Sequence, residues 1–116
     1  MSTTYSERFD VLRQFLKDTS PDCRVVAVTD FARLHGHNAP QAPGPSVVES
    51  VKAVVPLLDD DAERVRLTAL RSLGKLVTRV TKVDAATTDR IQRAANSDPS
   101  LKVRQRARGV MCILPQ

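Results

Sequence analysis

Two histidines, two cysteines and a run of three aspartates are the residues of this chain that could do chemistry beyond simple charge. His35 and His37 flank Gly36 at what reads as a helix end, where histidine commonly satisfies terminal carbonyls. A metal site would need further ligands, and Cys23 lies about three turns earlier on the same helix. Asp59-Asp60-Asp61 reads as a turn with a helix cap, because a calcium loop would also want a glycine and a terminal glutamate. No Ser/His/Asp or Cys/His set, carboxylate pair or glycine-rich phosphate loop stands out. The expectation is a protein with no catalytic residues, no metal, no cofactor and no small-molecule substrate.

What remains is charge. The 116 residues carry 18 Lys and Arg against 13 Asp and Glu, a net charge of +5. Residues 1–58 hold six of each sign, so the whole excess lies in residues 59–116, and an acidic partner should be met there. On a wheel of roughly 100° per residue, Arg64, Arg71, Lys75, Arg79 and Lys82 form one stripe with no acid among them, whereas Arg66 points about 200° away. Tyr5, Phe9, Phe15 and Phe31 are the only aromatics and none lies in the basic half, which removes base stacking from that surface.

The elements that must position these cations repeat. Asp18, Asp60 and Asp98 fall in register, as do Arg24, Arg66 and Arg104; Ala27, Ala69 and Ala107; and Leu34, Leu76 and Leu114. The offsets are 42 and then 38 residues, each copy being a turn followed by an amphipathic helix, which implies a helical solenoid. The same register places Lys102 opposite Arg64 and Arg106 opposite Thr68, extending the basic ridge across two units. It also sets Cys23 against Val65 and Val103, and Cys112 against Gly74 and Ala32, so both thiols read as reduced, buried, small apolar side chains.

Six helices are expected. Ser6–Lys17 carries Phe9, Leu12, Phe15 and Leu16 on one stripe; Ser20-Pro21 caps a second helix with Val25, Val28, Phe31, Ala32 and Leu34 inward. Residues 36–45, with three prolines and two glycines, form a loop. Ser46 with Glu49 is a capping box for a third helix that Pro56 should bend or shorten, and Asp60 with Glu63 is a second box opening a fourth helix to about Val80. A fifth runs from Asp84 to Ala95 on Ala86, Ile91, Ala94 and Ala95. Asp98-Pro99 caps a sixth with Val103, Ala107, Val110, Met111 and Leu114 inward. The units span about 6–36, 46–82 and 84–114 of one domain covering residues 1–116. The polar N-terminus and the lack of an apolar run near roughly 18 residues suggest an intracellular protein, cytoplasmic or nuclear, with no membrane partner.

Residues 57–76, LLDDDAERVRLTALRSLGKL, closely resemble the second half of a HEAT repeat, with an acidic turn, a Val-Arg pair, then Ala and Leu at helical spacing. Residues 97–114 resemble another copy, and residues 18–34 a third with Cys23-Arg24 in place of Val-Arg. The resemblance implies an all-α, right-handed α-solenoid of about three helical hairpins, with second helices on the concave side. It further implies a structural ladder between adjacent repeats, from the turn aspartates Asp18, Asp60 and Asp98 to Arg24, Arg66 and Arg104.

The expected function is that of a non-enzymatic scaffold binding an acidic peptide or protein, within a larger complex, through Arg64, Arg71, Lys75, Arg79, Lys82, Lys102 and Arg106. The alternative is nucleic acid, with the same ridge lying against duplex phosphates. Val110, Met111 and Ile113 at the C-terminal edge are expected to be partly uncovered, as in one piece of a longer solenoid or an edge packed on another subunit.

Overall fold

The computed structural model describes residues 5–35 and 46–115, and among these residues every regular element is helical. The proline-rich stretch 36–45, with His37 and Gly36, lies outside the described residues. The helices are α1 (Tyr5–Phe15), α2 (Pro21–Arg33), α3 (Val47–Val54), α4 (Glu63–Val77), α5 (Ala85–Ser97) and α6 (Leu101–Ile113). They pack as hairpins: α1 on α2, α3 on α4, α5 on α6. The second helices then stack in order, α2 on α4 and α4 on α6, giving an all-α solenoid.

Local chemistry sets several boundaries. The Ser46 hydroxyl accepts the Glu49 N–H at 3.1 Å and starts α3. Pro56 has no N–H for a continued α-helix, so α3 stops at Val54 and the chain tightens into a 3-10 turn over Val55–Asp59. The Asp84 carboxylate accepts the Thr87 N–H at 2.8 Å, opening α5. A hydrogen bond from the Thr87 side chain, and then that backbone bond, hold the Asp84 carboxyl below the usual carboxylate range.

Two expected caps are replaced. Asp60 does not cap α4, whose N-cap is Ala62, and Asp98 does not cap α6, whose N-cap is Ser100 with its hydroxyl 3.4 Å from the Val103 N–H. Instead each aspartate accepts the N–H two residues on, Ala62 at 2.9 Å and Ser100 at 2.9 Å, leaving its carboxylate facing the preceding hairpin. Helix α4 ends at Val77, short of Val80, where the Thr78 hydroxyl donates to the Lys75 carbonyl at 2.7 Å.

One continuous core runs through the stack, from Phe9 and Phe31 through Val54, Leu70 and Leu73 to Ile91, Val103 and Val110. Phe9 and Phe31 meet edge to face, centroids 5.2 Å apart. Ser72, buried on α4, donates to the Val28 carbonyl of α2 at 3.0 Å, so that hydroxyl both joins two hairpins and avoids an unmet burial cost. Some expected inward residues are not inward. Phe15 is 45% exposed and Ala86 is exposed, Thr87 taking the inward place on α5. Cys112 is exposed and Cys23 half-buried, so neither is the buried apolar side chain expected. Val110 is buried against α4 at 3% exposure and Met111 partly covered, leaving Ile113 as the uncovered residue of that trio.

His35 does not serve α2's last carbonyls with its ring; Nε2 lies 2.7 Å from Oγ of fully buried Ser50 on α3, tying the first hairpin to the second. Burial lowers the His35 pKa, and the nearby Arg79 charge lowers it further. The folded state therefore binds fewer protons than the unfolded chain just below histidine's ordinary 6.5. Stability is full above that value and falls as pH drops through it. Urea unfolding should show a lower midpoint at about pH 5.5 than at about pH 7.5, on either side of an ordinary histidine. His35→Gln should flatten that step; an unchanged step in the variant would assign it elsewhere.

Candidate functional site

Two arrangements of charge emerge, one between hairpins and one on the uncovered face of α4 and α6. In the first, Arg24 Nε and Nη2 donate to Oδ2 and Oδ1 of Asp60 at 2.7 and 3.1 Å, while Nη1 donates to the Asp18 carbonyl at 2.7 Å. Arg66 repeats the pattern one hairpin on: Nε and Nη2 to Asp98 at 2.9 and 3.3 Å, Nη1 to the Asp60 carbonyl at 2.9 Å. Both fork pairs are largely buried, with side-chain exposures of 15% and 8% for Arg24 and Asp60, 12% and 5% for Arg66 and Asp98. Arg104 donates Nη1 to the Asp98 carbonyl at 2.7 Å in the same way. This network spends its arginines on structure; it leaves no charge free for a ligand in the middle of the stack.

The second arrangement is smaller than the seven-cation ridge expected. Arg71 of α4 meets Lys102 and Arg106 of α6 around an open groove of about 330 Å³, completed by Leu67, Gln105 and Gly109. None of the three cations has an ion-pair partner among the described residues. Among the described residues, no acidic one lines the groove. Gly109 leaves open space where a Cβ would stand, which deepens the groove beside Arg106. Lys75 is exposed one turn beyond Arg71, close enough in register to extend the cationic edge.

The remaining three expected members stand elsewhere. Arg64 is held by Asp22 of α2 at 2.8 Å, so the stripe does contain an acid, contributed by the neighbouring hairpin. Both groups are more than half exposed, and the pair is worth little in stability, yet it offsets the Arg64 charge at that end. Arg79 and Lys82 lie beyond the end of α4, where a helical wheel has no meaning. Arg79 sits near His35. Lys82 lines a different depression, with Val48, Val51, Lys52 and Asp84, between α3 and α5. Gln105 and Gly109 were not singled out in the sequence, because neither is charged; the signal that could have found them is their helical spacing from Lys102 and Arg106.

Among the described residues, no group of three or more His, Cys, Asp or Glu could hold a metal ion, and no helix is long and apolar enough to cross a membrane. The Asp59 carboxylate of the acidic turn is engaged by Arg90 of α5.

No curated protein sequence matches this chain. A family model for HEAT repeats matches residues 9–112, most of its length. With hairpins stacked through their second helices and arginine–aspartate forks between them, the chain belongs to the HEAT-repeat family, whose members generally mediate protein–protein interaction and are typically non-enzymatic scaffolds.

Proposed function

We propose that this protein is a non-catalytic docking scaffold that takes an acidic peptide segment of a protein partner into the groove between α4 and α6. The observation that supports it is the set of three unpaired cations, Arg71, Lys102 and Arg106, around one open concavity without an acid. Arginine suits carboxylates because its planar fork can give two parallel hydrogen bonds, and Gln105 adds an amide able to meet a peptide backbone. Leu67 supplies an apolar wall for the stem of a glutamate or a neighbouring apolar side chain. Lys75 widens the field that steers an acidic segment toward the groove.

The test is binding of a fluorescein-labelled Glu/Asp-rich peptide to the wild-type chain and to the Arg71→Glu/Lys102→Glu/Arg106→Glu variant. Loss of three charge-assisted contacts at about 1.5 kcal/mol each predicts an affinity loss of at least about 100-fold, since 1.4 kcal/mol is tenfold. Circular dichroism should show the same helicity in both, because these exposed side chains make no hydrogen bond or ion pair among the described residues. Equal affinity would remove the reading. A duplex DNA of arbitrary sequence serves as the competing ligand: tighter binding to it than to the peptide, with a steep salt slope of about 0.9 per phosphate contact, would reassign the groove to nucleic acid.

A further inference from the structure

The fork pairs are directional, and that direction leaves the two ends of the stack unlike. Each internal pair joins an arginine of one hairpin to the turn aspartate of the next: Arg24 to Asp60, Arg66 to Asp98. Arg104 is locked by the same Nη1 bond to the carbonyl six residues earlier, at 2.7 Å against 2.7 Å for Arg24 and 2.9 Å for Arg66. By register, the Nε and Nη2 edge of Arg104 is the equivalent of the edges with which Arg24 and Arg66 meet a carboxylate. Among the described residues it has no acceptor. Asp18 is the reciprocal case: its Oδ1 accepts the Ser20 N–H at 2.8 Å, the counterpart of the Asp60 bond to Ala62 and the Asp98 bond to Ser100. Its carboxylate has no arginine among the described residues.

The rest of the two end faces differs as well. Gly74 marks the stripe of α4 that faces α6, since a Cβ there would meet Val110 and Ile113. The register partner of Gly74 is Cys112, so the outward stripe of α6 is Arg104, Arg108 and Cys112, with Arg108 exposed. Ser72 marks the stripe of α4 that faces α2. Its partner on α2 is Asp30, which borders an open, largely apolar groove of about 500 Å³ with Val11 and Phe15, 46% and 45% exposed. One end presents Arg104 and Arg108; the other presents the Asp18 carboxylate beside a largely apolar groove whose charges, Arg8, Arg33 and the Asp30 paired with Arg33, are mixed.

We infer that the α1–α2 end of one copy of this chain docks on the α5–α6 end of a second copy, with Arg104 forking onto the second copy's Asp18. The step that carries the second hairpin onto the third, applied once more, would make the intermolecular pair a repeat of Arg66 with Asp98. Such a contact is heterologous, so it is open-ended rather than closed into a two-fold dimer. It uses residues away from the Arg71–Lys102–Arg106 groove, so the two surfaces can be tested apart.

The experiment is sedimentation of the 116-residue chain in low salt, from about 1 µM to about 1 mM, a range that brackets weak interfaces. The weight-average mass of wild type should rise with concentration above that of one chain. Asp18→Asn keeps an oxygen for the Ser20 turn yet removes the charge, and Arg104→Gln removes the fork. Each variant alone should remain monomeric. Mixed, they should form a one-to-one heterodimer that grows no further, since the first still offers Arg104 and the second still offers Asp18. Arg108→Glu, which disturbs no contact among the described residues, is a second variant of the basic end and should also weaken wild-type growth. A wild-type chain that stays monomeric throughout, variants that associate as wild type does, or a mixture that fails to pair would each overturn the inference.

Discussion

Arg66→Ala is expected to destabilise the fold by about 3 kcal/mol, the lower end of what removal of one partner from a buried ion pair costs. The reason lies less in the attraction lost than in the group left behind. Asp98 is 5% exposed at its side chain, and without Arg66 its Oδ2 would keep a charge with no donor, while Oδ1 would retain only the Ser100 N–H. The Asp60 and Asp61 carbonyls would lose their Nη1 donor as well. Arg24→Ala should behave alike, because Asp60 is similarly covered. Arg104→Ala removes one hydrogen bond to a carbonyl and strands no buried carboxylate, so it should cost only about 1 kcal/mol. Equilibrium urea unfolding of the three variants separates the explanations. Equal losses at all three positions would mean that the arginines contribute by packing their stems and not by satisfying the aspartates.

Arg66→Lys sharpens the same argument. An ammonium keeps the charge but cannot span Oδ1, Oδ2 and the Asp60 carbonyl from one rigid plane. The fork, not the charge, selects arginine at positions 24 and 66.

Much of this was legible in the chain because the period of the repeat is a global constraint that local signals only decorate. Asp18, Asp60 and Asp98 stand in register with each other, and so do the three arginines, whatever caps the helices. Their division of labour was not legible. An aspartate two residues before the Ala or Ser that opens a helix reads equally well as an N-cap, and only the arrival of a guanidinium 36 or 32 residues away in sequence turns Asp60 and Asp98 toward the preceding hairpin. The basic ridge was overdrawn for a related reason. A wheel at roughly 100° per residue assumes an unbroken helix. Thr78 closes α4 before Arg79 and Lys82, and Asp22, remote in sequence, neutralises Arg64. What survives at Arg71, Lys102 and Arg106 depends on two helices meeting side by side, which the register between units does specify. The apolar stripes of α1 and α5 failed at Phe15 and Ala86 because an end hairpin, or a thin helix of small residues, has more than one way to turn its face.

Phe31→Ala is expected to have an effect as large, about 3–5 kcal/mol, and a different reach. Phe31 is fully buried on α2 and meets the edge of Phe9 on α1, so truncation loses transfer energy, opens a cavity and removes an aromatic pair worth roughly 0.5–1.5 kcal/mol beyond its area. Hairpins in a solenoid contact only their neighbours, which makes stability a sum of units and interfaces. The first hairpin is joined to the second through α2 on α4, the Ser72 bond to Val28, and the His35 contact with Ser50. Loosening Phe31 therefore acts on α1 and α2 first, while α5 and α6 keep Ile91, Val103 and Val110 packed. Amide hydrogen exchange should show α1 losing protection at denaturant concentrations where α6 still retains it. Val103→Ala is the mirror experiment, opening the α5–α6 end while α1 stays protected. If either substitution lowered protection uniformly along the chain, the hairpins would be unfolding as one cooperative unit, and the ladder and shared core would couple them more tightly than nearest-neighbour stacking requires.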